Sequence, residues 1–278
     1  MGRIKRGWRL AGVSWTTLRS DRSLAAFPIL GGLAALFWML AFGLPAVLLF
    51  TESLPVPGVI LAALAIYFST FAGVFFNVAL AAAAAQVLDG EDATVASGLA
   101  VARHRVGAVA GWAGILASVN IVIQALQSRA GPLVDILLGA IAVAWALVTF
   151  LVIPVIALEN LGPIAALKRS ASIFRQRWGE QVAGQFTIGF LVFAMAAIPA
   201  AILVGIGFLT GSTAVLVVLI ALAAVIVVTG MIIAAALTQI FAVALYRYAV
   251  GDGSTGAFAA ADLASVVAPR RRRWGATG

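Results

Sequence analysis

Charge is scarce in this chain. Only 10% of its 278 residues are Asp, Glu, Lys or Arg, against 63% hydrophobic, and the mean hydropathy is +1.12. A soluble domain carries about 25% charged residues, so this balance excludes an ordinary water-soluble fold. Cysteine is absent, which excludes a disulfide framework, a thiolate metal site and a thiol nucleophile. His104 is the single histidine and sits between Arg103 and Arg105, with no second histidine to share a metal. The chain has no Gly-rich phosphate loop ending in Lys-Ser or Lys-Thr, no His-Glu-x-x-His and no Gly-x-Ser-x-Gly elbow. No residue set nominates a catalytic centre, and no cofactor or metal is expected. Asp89, Glu91 and Asp92, beside Gly90 and Ala93, read as a turn leading into a helix N-terminus rather than as a cation site.

What the chain has is long apolar blocks. Ser23 to Leu88 contains only Glu52, Val106 to Leu158 only Arg129 and Asp135, and Gln181 to Tyr246 no charge at all. Each block is about twice the roughly 20 residues that one spanning helix needs. The hydropathy therefore predicts six spans at about 24–50, 58–87, 106–126, 133–157, 183–208 and 213–246. The first is too long for a signal-peptide core and is expected to be retained. Of the 18 basic residues, 17 fall before the first span, between the second and third, between the fourth and fifth, or after the sixth. Only Arg129 falls elsewhere. The positive-inside rule then puts both termini on the cytoplasmic side of the membrane, and the formal charge of +8 reads as an orientation signal; nucleic acid is not expected as a partner.

The segments before the first, third and fifth spans share a 3.6-residue period. Their stripes are Ile4, Trp8, Ala11, Trp15 and Leu18; Val95, Leu99, Ala102 and Val106; and Ile164, Leu167, Ala171, Phe174 and Trp178. The second and third also match locally, Arg103-His104-Arg105-Val106-Gly107 against Arg175-Gln176-Arg177-Trp178-Gly179. The expected fold is all-α: a polytopic membrane bundle of six transmembrane helices in three hairpins, each preceded by a cytoplasmic interfacial amphipathic helix. The repeat units run over about 3–87, 93–157 and 161–248 within a membrane domain at 1–249, followed by a tail at 250–278. Trp8, Trp15, Lys168, Arg175, Trp178 and the cluster Arg270, Arg271, Arg272 and Arg273 are the expected contacts to anionic lipid headgroups.

No ionisable residue lies near a span centre, which argues against a proton relay or a buried charge pair. The uncharged polar residues are better patterned. On the third span Gly107, Gly111, Gly114 and Ser118 form a small-residue packing face, with Asn120, Gln124 and Gln127 roughly opposite. Thr70 and Asn77 on the second span, Gln185 at the start of the fifth, and Thr238 and Gln239 in the sixth complete the candidates for a neutral pore or cavity lining. Interhelical hydrogen bonding is the alternative for all of them. Pro28, Pro45, Pro154 and Pro199 fall within spans or at their ends, where each removes a backbone donor.

Three stretches carry a family resemblance: Gly7-Trp8-Arg9-Leu10 with Leu18-Arg19-Ser20-Asp21, Leu161 to Ser170, and Thr255-Gly256-Ala257-Phe258. In these the chain resembles a family of prokaryotic six-span integral membrane proteins of unknown function. Its middle stretch, with Gly162-Pro163 leading into Ala166-Leu167 and Ser170, is also similar to the membrane domain attached to some glycerophosphodiester phosphodiesterases. No catalytic domain accompanies it here, so no phosphodiesterase activity is expected. The function expected from the residues is a channel or passive transporter for a small solute or ion, in a possible homo-oligomer. The alternative is a scaffold or lipid-binding adaptor, and an intramembrane enzyme comes third.

Overall fold

In a bilayer every backbone N–H and C=O must find its partner inside the protein, and runs of Ala, Leu, Val and Ile meet that condition as helices. The computed structural model describes residues 23–52, 54–127, 132–177 and 187–251, and everything regular among them is helical. The helices are α1 Ser23–Trp38, α2 Leu44–Thr51, α3 Pro55–Leu88, α4 Val95–His104, α5 Val106–Gln127, α6 Pro132–Thr149, α7 Val152–Glu159, α8 Pro163–Arg177, α9 Thr187–Leu209 and α10 Thr213–Val250. Among the described residues five helical stretches are long and apolar enough to cross a membrane: 23–51, 55–88, 106–127, 137–159 and 213–250. The region expected to hold a further span forms α9, of 23 residues; 183–186 lie outside the described residues.

Two spans are interrupted, each at a proline. A single π-helical turn, Met39–Gly43, joins α1 to α2 just ahead of Pro45, whose missing N–H a wider turn accommodates. Trp38, Phe42 and Phe68 stack against one another there, with ring centroids 4.9 to 5.7 Å apart. The stretch expected as one span over 133–157 breaks between Thr149 and Val152, ahead of Pro154. At this break the Ser170 hydroxyl of α8 donates to the Val148 carbonyl at 2.5 Å, and Ser170 is fully buried. A side chain from a neighbouring helix thus serves a carbonyl where the ladder is disturbed.

The spans' outer surface is apolar: Leu33, Phe37, Val217, Val218 and Phe208 are each at least 60% exposed. Soluble proteins do not display such a surface, and hydrocarbon is the solvent that tolerates it. Packing is uneven along the bundle. From Val78 to Ala85 every residue of α3 is buried, as is every residue of α10 from Gln239 to Arg247, whereas Val215, Val217, Val218 and Leu222 of α10 are exposed. The core therefore sits where α3, α7 and α10 end, with α4 and α8 packed on it. All Lys and Arg among the described residues lie in α4, the turn after it, α8 and the last turn of α10, which makes this the basic end.

The faces that α4 and α8 bury differ in detail from the stripes read in the sequence. On α4 the buried positions are Gly98 and Ala102, flanked by half-buried Val95 and Leu99. On α8 they are Ala166, Ser170 and Ile173, one residue round from Ile164, Leu167, Ala171 and Phe174, and Ile164 is 61% exposed. One residue is about 100° of helix rotation. The rotation brings Ser170 to Val148, an interaction that hydrophobic periodicity does not register. The first stripe, from Ile4 to Leu18, lies outside the described residues.

Candidate functional site

The best-built polar arrangement is at the basic end, where α3 and α7 both finish with a carboxylate. Asp89 caps the C-terminus of α3, and Glu159 is the last residue of α7, before Asn160 turns the chain with a φ of 55°. A carboxylate at a helix C-terminus faces the negative end of the dipole and is disfavoured unless a cation answers it. Both are answered. Arg247 of α10 donates from both terminal nitrogens to Asp89, Nη1 to Oδ1 at 2.5 Å and Nη2 to Oδ2 at 2.6 Å. Arg169 of α8 donates from Nε to both oxygens of Glu159, at 2.9 and 3.1 Å, and the Tyr246 hydroxyl donates to Glu159 Oε1 at 2.6 Å.

Tyr246 and Arg247 are neighbours in sequence, so their side chains leave α10 about 100° apart and reach two different partners. One turn of α10 thereby ties together the ends of α3 and α7 and, through Glu159, the helix α8. Arg247 is only 7% exposed and its pair with Asp89 is bidentate, the geometry in which a guanidinium holds a carboxylate most firmly. Sequence reasoning missed all five residues. The available signal was a charged residue within three positions of the ends of α3, α7 and α10, at Asp89, Glu159 and Arg247. In the sequence Asp89 reads as part of a turn into a helix N-terminus, Glu159 as a span end exposed to headgroups and Arg247 as an orientation charge, each taken by itself.

Glycine settles how α4 and α8 seat. A Cβ on Gly98 would stand 2.6 Å from the Ala79 carbonyl oxygen and 2.7 Å from the ring of buried Phe27. A Cβ on Gly111 of α5 would stand 2.7 Å from Cγ of Pro163, the first residue of α8. Of the small residues named on α5, a Cβ on Gly114 would make ordinary contact with the Tyr67 ring at 3.8 Å, Gly107 faces open space and Ser118 is exposed. The Ser97 side chain closes a capping box with Thr94 and donates to Gln86 at 2.8 Å, fixing the turn between α3 and α4.

The sequence's pore candidates do not converge. Thr70 and Asn77 bond to carbonyls of their own helix, Ile66 at 2.7 Å and Gly73 at 2.8 Å. Gln239 is buried, and its Nε2 has no partner among the described residues; Thr238 beside it is half-buried. Asn120, Gln124 and Gln127 are exposed on the outer half of α5. Gln185 lies outside the described residues, as do Trp8, Trp15, Trp178 and Arg270 to Arg273; Lys168 and Arg175 are exposed on α8. A cleft of about 340 Å³ opens between α1, α3 and α10, with Asn77 as the one polar side chain on its wall. Among the described residues no group of His, Cys, Asp and Glu is arranged to hold a metal.

No curated protein and no solved structure matches the chain. Nothing links it to the membrane domains attached to glycerophosphodiester phosphodiesterases. One family profile matches residues 57–257, from the start of α3 past the end of α10, and on that match the chain belongs to the family of unknown function DUF6159.

Proposed function

We propose that the protein is a passive membrane conduit for a small neutral solute, assembled from several copies that bring their α5 faces together. The observation that carries this reading is the exposed amide face of Asn120, Gln124 and Gln127, spaced to share one side of a helix. Asn120 stands 14 residues into α5, about 21 Å from its start, and so within a hydrocarbon layer about 30 Å thick. An amide with no partner in hydrocarbon costs roughly 2–7 kcal/mol. None of the three has a hydrogen-bond partner among the described residues. Copies arranged about a common axis, with the amides facing a wet centre, remove that cost.

In this reading α9 is the fifth of six spans, since its 23 residues reach about 35 Å. The three hairpins are then α1–α3, α5–α7 and α9–α10, with the basic end in the cytoplasm and α4 and α8 as equivalent elbows of a repeated unit. The conduit carries no coupled ion, and the protein is not an enzyme. Flux of water or glycerol into proteoliposomes, followed by light scattering, tests it. Asn120→Leu and Gln124→Leu are expected to lower flux well below that of the wild type while the protein still reconstitutes. Wild-type flux in both variants would remove the α5 face from any path.

A specific observation favours a second reading, a lipid-binding adaptor: Arg103, His104, Lys168 and Arg175 all stand exposed on the two elbows. Binding to anionic vesicles that weakens when Arg270 to Arg273 are removed, in a protein without flux, supports it over the first.

A further inference from the structure

We propose that the cleft between α1, α3 and α10 is a binding site for one acyl chain of a bilayer lipid. This does not rest on the conduit reading. The cleft lies at mid-length of two long helices, at Gly73 and Asn77 of α3 and at Val228 and Met231 of α10, with Phe27 and Gly32 of α1 on the third wall. A span takes about 20 residues, so Gly73 and Met231 are within hydrocarbon for any placement of α3 and α10 that crosses the bilayer. Val228 and Met231 at the mouth are each 55% exposed, so the cleft opens sideways toward lipid.

The walls select the occupant. Water needs two to four polar partners to stay in a cavity, and the cleft offers one polar side chain, Asn77, whose Nδ2 is already given to the Gly73 carbonyl at 2.8 Å. An apolar cavity of about 150 Å³ is known to stay dry and to take up apolar molecules. The volume of about 340 Å³ is also too small to take in a whole turn of a second copy's helix. One turn of α-helix, about 10 Å across and 5.4 Å in pitch, takes up more than 400 Å³, whereas a hydrocarbon chain is linear and narrow.

Two glycines keep the space open. Gly32 and Gly73 lie inside membrane helices, where glycine is the weakest helix former after proline, yet a Cβ on either meets nothing within 4 Å. Close helix contact, the usual reason for glycine in such helices, is therefore not what they provide. Their effect is concavity: a large side chain at either position projects into the cleft.

The test uses the full chain in liposomes containing a phospholipid with a photoactivatable diazirine at mid-chain. Adducts are mapped by mass spectrometry, with Val217 and Ile220, exposed on α10 away from the cleft, as the reference for bulk lipid contact. The expected result is labelling at Met231 above the reference, saturable by unlabelled lipid. It is retained in Gly32→Ala and lost to the reference level in Gly32→Phe and Gly73→Phe. Saturation in the wild type reads out the site even where one phenylalanine variant does not fold. Labelling at Met231 that equals the reference, does not saturate, or persists in Gly32→Phe overturns the proposal. So does disulfide cross-linking between copies through Met231→Cys, which assigns the cleft to a second copy.

Discussion

Two adjacent residues, Tyr246 and Arg247, hold the basic end together. The Asp89–Arg247 pair is partly in water on one side, with the Asp89 side chain 36% exposed and that of Arg247 8%, so removing one partner costs less than the roughly 3–5 kcal/mol of breaking a fully buried pair. Hydrogen bonds to charged groups contribute about 1.5–3 kcal/mol, and that range applies. Asp89→Asn and Arg247→Gln are each expected to lower unfolding stability in detergent. The double variant should cost less than the sum, with a coupling of about 1–3 kcal/mol. Additive losses would mean that the two side chains stabilise the bundle through other contacts. At this scale the sequence was only partly legible. Residue types at helix ends can be read off directly, but Asp89 and Arg247 are 158 positions apart, and nothing local to either identifies the other.

Among elements, the elbows α4 and α8 depend on close backbone approach more than on apolar side chains. Gly98 brings α4 onto the Ala79 carbonyl, and Gly111 receives Pro163 at the start of α8. Gly98→Ala forces a Cβ against a backbone oxygen and is expected to cost about 1–3 kcal/mol. Gly107→Ala, the same chemical change into open space, should stay within about 0.5 kcal/mol. Equal effects in thermal unfolding would show that α4 seats differently. Small-residue spacing pointed to Gly107, Gly111, Gly114 and Ser118 alike. Which of them touches a neighbour depends on the angle at which another helix crosses, and spacing along one helix does not contain that angle.

For the molecule as a whole, tight packing belongs to the basic end, while the opposite half of α10 and the outer half of α5 are largely exposed. That asymmetry leaves room for the cleft and exposes the α5 amides. The absence of cysteine makes the orientation directly measurable, because any introduced thiol is the single reactive one. In inverted and right-side-out vesicles, a membrane-impermeant maleimide is expected to label His104→Cys from the cytoplasmic face and Ser212→Cys from the opposite face. Labelling of both from one face would put the turn between α9 and α10 on the same side as α4 and overturn the proposed topology.

The apolar blocks alone determined the solvent, the helical class and the approximate extent of five spanning stretches. A run of about 20 apolar residues has no alternative in lipid that satisfies its backbone, so local composition suffices. The rotation of α8 about its axis, the break ahead of Pro154 with Ser170 beside it, the pairing of Asp89 with Arg247 and the cleft at Gly32 and Gly73 were decided only by the tertiary structure. Each depends on which faces of distant helices meet. In a chain whose spans are apolar all round, hydrophobicity does not single out one face, so the choice falls to glycine contacts and a few polar hydrogen bonds.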